Sequence, residues 1–488
     1  SMIAAAQVDY TANDDVKVPY IQPSETHIDG ILERYKTVKG AILNMNRDEW
    51  EVFRAWEGYD PDEVKQVLKE HKMKWRSEHS DEIEERRARR MMSECGCWIE
   101  PDETYTDLDV FNQPNSSTGA GPGVDFSSGP IPIEWPFEFY GDEFDAFFIS
   151  SKGQLTFDGI SVDWTPEEFP TTTDQVNQIA GFWSDADYRL SGEIKYKVTE
   201  DAVFVNFIDV GYYNQGTELF NSFQIIFTPN NSNVLEGSSN VQLCYAEMEW
   251  AHGDVGGTDG CCGDAPATVG VDEASDNGPF VQFGRFNYLN DVYNGPLGFG
   301  GGYDDGVYWL TNQRFDLDVS EDGANLPPAP SANIGCDTIT LCLGNTYDLN
   351  LDFFGPESGQ FLTVESSDVL GWDYTLSEGE FATIQGTVTA QASNVGVHEI
   401  TITSTDNGTP AAETVVTLVI EVLNIELPPL TVEGNTAICA GGELTLTATG
   451  DFDEIIWSDG TAGTTNTYNY GGTFFVTGHL DQCTVVEE

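Results

Sequence analysis

Basic side chains are scarce in this sequence: 21 Lys and Arg stand against 82 Asp and Glu, a formal charge of -61 over 488 residues. Nucleic acid and anionic membrane surfaces repel so acidic a chain, which excludes polyanion binding. The shortage is uneven, because residues 1–100 hold 15 of the cations and none follows Arg314. From Phe315 onward the carboxylates have no Lys or Arg to pair with. They must rely on water, salt or divalent cations, a composition suited to a saline exterior. Long apolar runs are missing too, so no segment reads as membrane-spanning. Hydrolase signatures are also lacking. "HEITI" at 398 has no second His of a zinc protease, and neither Gly-x-Ser-x-Gly nor Gly-x-x-x-x-Gly-Lys occurs. Carboxylate pairs for glycoside cleavage have a spacing only in three dimensions and stay open. The expectation is a protein that is not an enzyme.

Nine cysteines are present: Cys95, Cys97, Cys244, Cys261, Cys262, Cys336, Cys342, Cys439 and Cys483. In a chain rich in Gly, Asn, Thr and Tyr they fit secretion and disulfides, and the odd number leaves one without an internal partner. "MIAAAQ" at the start resembles the end of a signal peptide, with a small-residue cleavage site near Ala6. The length suggests three to five domains.

Residues 26–94 read as helices, with Ile28, Ile31, Leu32, Tyr35, Val38 and Ile42, then Val64, Val67, Leu68 and Trp75, at helical period. Asn46 with Glu49, and Asp60 before Pro61 and Glu63, are start signals. In "DEIEERRARRMM", Glu82 and Glu85 precede Arg86 and Arg89 by four residues. The apolar face of that last helix is thin, so it is expected to lie exposed or to pack on another protein. Beyond "CGCWIEPDETY" the pattern becomes strands, from "EWPFEFYG" to "GVYWLTNQRFDLDV", separated by Gly, Asn and Asp turns. Two Pro-rich breaks, "NLPPAPSAN" and "IELPPLTVEGN", read as short links between modules. The expected fold class is mainly β and multidomain. It comprises an extended segment 1–25, a helical segment 26–94, a large β domain 95–324 and immunoglobulin-like sandwiches at 332–424 and 430–488.

Asp185 and Asp187, two apart beside Trp183, could hold Ca²⁺ through alternate carboxylates at a turn. Turn capping by short acidic side chains is the preferred reading. The same choice applies to Asp304 with Asp305 and to Asp451 with Asp453. His252 with Cys261 and Cys262 could hold a soft metal, but adjacent cysteines suit a tetrahedral site poorly, and a loop disulfide to Cys244, Cys95 or Cys97 is preferred. Cys95 and Cys97 lack a thioredoxin-like setting and read as structural. Cys336 and Cys342 are most simply a local bridge, and Cys439 with Cys483 would clip the ends of the last sandwich. Aromatics beside turns, in "FYGDEFDAFFI" and "VGYYN", suit either a sugar- or protein-binding face or the core rim. Asn115, Asn230 and Asn407 sit in Asn-x-Ser/Thr patterns.

"FFISSKGQLTF", "IAGFWSDADYRLSGEIKYKV", "FVNFIDVGYY", "NSFQIIFTP", "ATVGVD" and "GVYWLTNQRFDLDV" in order resemble the nidogen-like domain, found in animal matrix and mucin-type proteins and in bacterial surface proteins. In that family the Trp-x-Asp-x-Asp stretch ends a strand and enters a turn, with no catalysis attributed to it. "CAGGELTLTATG", "IIWSDG" and "GGTFFVTG" resemble small Ig-like repeats of giant adhesins in gliding, type IX-secreting bacteria, and "HEITITSTDNGTPAAETVVTLVIEV" resembles a cadherin-like repeat. Such proteins continue through further repeats, which the resemblance implies beyond Glu488.

Together these imply a secreted bacterial surface protein, the head or tip of an adhesin or of an appendage or filament subunit. Helices 26–94 are expected to dock on a neighbouring copy and give a homo-oligomer, so that deleting them leaves the β modules folded but changes assembly. The alternative is a monomeric adhesin that binds glycan or protein through the nidogen-like domain, with Ca²⁺ as a possible cofactor. A secreted hydrolase ranks third.

Overall fold

The structure is a computed structural model that describes residues 25–92, 97–114, 120–172, 175–230, 232–235, 239–253, 265–273, 275, 278–290, 293, 305–320, 327–332, 338–355, 360–367, 372–409, 411–434, 442–469, 474–481 and 483–487. It is mainly β, as the strand patterns require, with five helices among the described residues, all at the N-terminal end: α1 Glu25–Tyr35, α2 Val38–Asn44, α3 Arg47–Arg54, α4 Pro61–Glu78 and α5 Ser80–Met92. The start signals act as read. Asn46 and Glu49 form a reciprocal capping box, and the Asp60 carboxylate accepts from the Asp62 and Glu63 amides with Pro61 opening the helix.

Two sheets build the large β domain. One has strands in the order Asp305–Gly306, Phe280–Tyr288, Ala267–Asp272, Gln178–Trp183, Gln154–Thr156, Asp142–Ile149 and Ile131–Phe139. The other runs from Glu193–Val198 through Val203–Tyr212, Asn221–Phe227 and Val241–Met248 to Arg314–Leu317. Aromatic rings fill the space between, among them Phe137, Phe147, Phe157 and Phe227, with centroids 4.7–5.6 Å apart. "GVYWL" is not a strand. Val307–Leu310 is a 3₁₀ turn, and Trp309 stacks on Tyr293 at 3.8 Å.

The second sheet does not stop at the first Pro-rich break. Ala329–Ala332 forms a strand paired with Arg314–Leu317 on one side and Thr346–Phe354 on the other, so the sheet continues into Phe381–Thr389 and Asp373–Ser377. Phe354 lies edge-on to Phe283 at 5.6 Å and is buried in the core of the large domain. The sandwich behind it closes with a four-stranded sheet around Leu351, Ile384, Ile402 and Ile420. Two three-stranded sheets around Trp457, Tyr468 and Val476 form the last unit.

The helical segment packs one face against the β domain. Ile42, Met45, Trp50, Phe53, Val64 and Leu68 belong to the same buried cluster as Val124, Phe126 and Tyr188 of the β domain. The Trp50 ring lies on Gly121, where a Cβ would meet it at 2.9 Å and φ is +91°. α5 compensates for its thin apolar face with charge: Arg86 and Arg90 reach Asp209 at 3.3 and 2.7 Å, and Arg89 reaches Glu247 at 2.8 Å. Their apolar stripe and most of their cations are thus used within the chain, which lends no support to the expected docking of the helices on another copy.

The disulfides also differ from the short-range expectation. Cys97 bonds Cys244, with Cα atoms 5.7 Å apart, and Cys342 bonds Cys483 across two units, at 6.0 Å. The local Cys336–Cys342 bridge and the Cys439–Cys483 clip are therefore replaced. Bridging needs Cβ atoms brought face to face, which tertiary packing decides and sequence proximity does not. Cys95, Cys261, Cys262, Cys336 and Cys439 lie outside the described residues.

Asp272, in "ATVGVD", is buried with Thr171 donating to it through both its amide and hydroxyl, at 2.9 and 2.8 Å. Burial outweighs these bonds and raises its carboxyl to about 6. A carboxyl raised on folding stabilises below its ordinary value near 4, and that contribution is lost as pH rises through about 6. Asp272→Asn is therefore expected to gain about 1–3 kcal/mol relative to the parent at pH 8 and little at pH 4. Thermal unfolding at the two pH values checks this, and equal shifts at both would refute it.

Candidate functional site

The "SDADY" stretch crosses between sheets. Gln178–Trp183 ends in the first sheet, and Ala186–Asp187 pairs with Gly211 and Tyr212 of the second. Asp185 is buried at the crossing, with Tyr213 N donating to its carbonyl at 2.8 Å. The Ser150–Gln154 turn brings Lys152 to the same point. Its Gly153 has φ +83°, and a Cβ there would lie 2.1 Å from the Phe182 carbonyl oxygen.

Lys152 is fully buried and donates to Asp185 at 2.8 Å and to the Ala186 carbonyl at 3.2 Å, with Asp125 at 2.7 Å. Arg47, the first residue of α3, completes the group. Its guanidinium donates to Asp185 at 2.6 Å and to Asp125 at 3.3 Å, while lying 3.8 Å from the Tyr213 ring centroid and 4.6 Å from that of Trp164. Two carboxylates thus meet two cations, one brought by the β domain and one by the helical segment. Burial would raise the Asp125 carboxyl, but Lys152 and Arg47 outweigh it and hold the group well below the usual carboxylate range.

Asp187 caps its turn as read, accepting from Arg189 N at 2.9 Å, and also binds the fully buried Arg189 guanidinium at 2.6 Å and Gln215 N at 3.0 Å. Asp185 caps no turn. Its positive neighbours are the Arg47 and Lys152 side chains, both on Oδ1. Asp305 is buried and accepts from the Arg285 amide at 3.4 Å, and Asp304 lies outside the described residues. Asp453 accepts from the Asp481 amide at 3.0 Å, and Asp451 is exposed. His252 is buried with Nδ1 2.9 Å from the Gly253 carbonyl. Among the described residues no group of three or more His, Cys, Asp or Glu could hold a metal.

Further along the same interface Lys72 of α4 donates to the carbonyls of Tyr188 and Ser191 at 3.0 and 3.1 Å and to that of Gly192. Burial pushes its ammonium down to about 7. Lys69–Asp109 and Arg76–Glu193 pairs, at 2.6 and 3.2 Å, extend the contact at the surface. The arrangement contains no nucleophile with an adjacent base. What it does chemically is lock the helical segment to the β domain by buried, charge-balanced pairing.

Sequence reasoning missed Asp125, Lys152, Arg189 and Arg47. Two signals were present. Only six cations follow residue 100, and three of them, Lys152, Arg189 and Arg285, are buried. Arg47 also opens a helix, where the dipole disfavours positive charge unless a carboxylate offsets it.

Residues 100–295 match the family described as NIDO related. Among curated proteins, Nidogen of Drosophila melanogaster is 24% identical over 191 residues, 33% of this chain and 13% of the relative. Alpha-tectorin of Mus musculus is 26% identical over 162 residues, 28% of this chain and 7% of the relative. The chain thus spans a small part of the curated relatives it matches. A solved structure of human CDH23 EC21-23 is similar with a TM-score of 0.17 and 12% identity, covering 36% of this chain and 71% of that one.

Proposed function

We propose that this chain is an extracellular adhesive protein without enzymatic activity. Helical segment 26–94 and nidogen-like domain 95–324 act as one head, and units 332–424 and 430–488 act as spacers toward a cell surface. The observation that carries this reading is mechanical continuity. The domain matched by the NIDO-related family shares a hydrogen-bonded sheet with the next sandwich. The Cys342–Cys483 bond then ties that sandwich to the last unit. Such a design transmits load. Acidic composition and disulfides support secretion. Placement on a bacterial surface, in the manner of type IX-secreted adhesins, rests on the resemblance of the repeat modules.

Because the helices are engaged within the chain, the reading favours a single-chain head over assembly through residues 26–94 into a filament. The test is binding of the purified chain to glycan and protein arrays, and retention of chain-coated beads on the same surfaces under flow. Saturable binding that persists in chelator is expected, since Arg47, Lys152 and Arg189 supply the positive charge at Asp185 and Asp187. Failure of both binding and retention would sink the adhesive reading. Load transmission has its own measurement. Pulled by its ends until these two units unfold, the chain is expected to extend about 470–500 Å further when reduced than when oxidised, because the 141-residue separation across Cys342–Cys483 then joins the load path at roughly 3.3–3.6 Å per residue. A gain near zero would remove the disulfide from the load path.

A further inference from the structure

Lys152, Asp125 and Asp185 are buried more completely than an ion pair requires. Their side chains are 0, 0 and 2% exposed, and Lys152 Nζ lies 2.7 Å from Asp125 Oδ1 and 2.8 Å from Asp185 Oδ1. Charges taken out of water carry a desolvation cost that pairing offsets only in part. A neutral bond between two of these groups would remove it. Charge balance permits such a bond: two cations now face two carboxylates, and joining Lys152 to one carboxylate leaves Arg47 paired with the other.

The two carboxylates are not equivalent. Asp125 is held at both oxygens, Oδ1 by Lys152 and Arg47, and Oδ2 by the Ala120 amide at 2.5 Å and Arg47 Nε at 3.4 Å. Asp185 is held at one. Its Oδ1 accepts from Lys152 and Arg47, while Oδ2 is buried without a hydrogen-bond partner among the described residues. The oxygen that nothing holds is the one free to depart. Arg47, 2.6 Å from Oδ1, stands where negative charge would gather if the Asp185 Cγ were attacked, and preorganised donors at such a point stabilise the transition state. Contact distances already achieved in the folded chain replace the encounter that the same reaction would need in solution.

We propose that Lys152 and Asp185 join autocatalytically through an amide between Nζ and Cγ, with Asp125 as the proton carrier. As an ion pair the group is inert, because an ammonium has no lone pair. One proton passed from Nζ to Asp125 supplies the lone pair, and Nζ then attacks the Asp185 Cγ. The Cγ–Oδ2 bond breaks, and Oδ2 leaves as water with the two protons that Nζ has given up, each carried by Asp125 in turn. No oxidant or other reactant enters. The bond closes the 33-residue separation between Lys152 and Asp185 and fixes the Ser150–Gln154 turn to the crossing between the two sheets. It would stiffen a load-bearing head, but the chemistry does not depend on the adhesive reading.

The test is the intact mass of the purified full chain, reduced and unfolded, followed by tryptic digestion and fragmentation. The chain is expected to be one water lighter than its sequence. Lys152 is the only Lys or Arg between Arg90 and Arg189, so trypsin is expected to leave residues 91–189 as one peptide whose fragments place the missing water at a Lys152–Asp185 link. Lys152→Arg is expected to keep the full mass and to be cut after residue 152. Asp125→Asn, which cannot carry the protons, is expected to leave most of the chain unlinked. The parent mass decides alone if either variant fails to fold. A parent chain at full mass and cut after Lys152, a link to a residue other than Asp185, or undiminished linkage in Asp125→Asn would each overturn the proposal. Bead retention under flow reads the adhesive function separately, so a parent at full mass that is still retained would remove the cross-link and leave that reading standing.

Discussion

Lys152→Met is expected to lower the unfolding free energy by about 3–5 kcal/mol, read as a fall in the urea midpoint at unchanged slope. The substituted side chain has similar reach and keeps the packing, but Asp125 and Asp185 would share Arg47 alone in a buried site. Breaking a buried pair costs far more than the pair contributes, because the remaining charge has lost both water and counter-ion. The companion measurement is Lys152→Met with Asp125→Asn, which restores charge balance and is expected to recover part of the loss. Acid adds a second readout. The folded Asp125 carboxyl titrates well below its ordinary value, so its stabilisation is present above about pH 4 and fades only as pH falls through the lowered value. In Lys152→Met that fading is expected to begin at higher pH. A loss under about 1 kcal/mol would mean that the network is solvated rather than buried.

Removing the helical segment, by starting the chain at Cys97, is expected to abolish a single cooperative unfolding transition and to expose apolar surface to a hydrophobic dye. The sequence reading pointed the other way, to β modules that stay folded without it. The reversal follows from contacts: Trp50 and Phe53 are buried in the core cluster shared with the β domain, and burial of each is worth roughly 1.5–3 kcal/mol. The deletion also removes Arg47, Arg86 and Arg90, and so strips cations from Asp125, Asp185 and Asp209. An unchanged cooperative transition in the shortened chain would show that the helices merely rest on the surface.

The sequence by itself determined the parts whose cause is local. Helix starts at Asn46 and Asp60 follow from side chains capping nearby amides, and strands from "EWPFEFYG" onward follow from apolar alternation against turn residues. Composition carried the acidic, Cys-containing character of the chain, and ordered motifs carried the resemblance of the large β domain to the NIDO-related family. Only the tertiary structure decided which charges meet. Asp125, Lys152 and Asp185 come from three turns, and Arg47 from a helix 78 residues before the first of them. Cys342 finds Cys483 rather than a nearer thiol, and Ala329–Ala332 becomes a strand rather than a link. Each depends on distances across the fold, and pairing energies between distant groups leave no periodicity in the chain. The scarcity of cations narrowed the choice, since a chain with so few places them where an unpaired carboxylate would cost most.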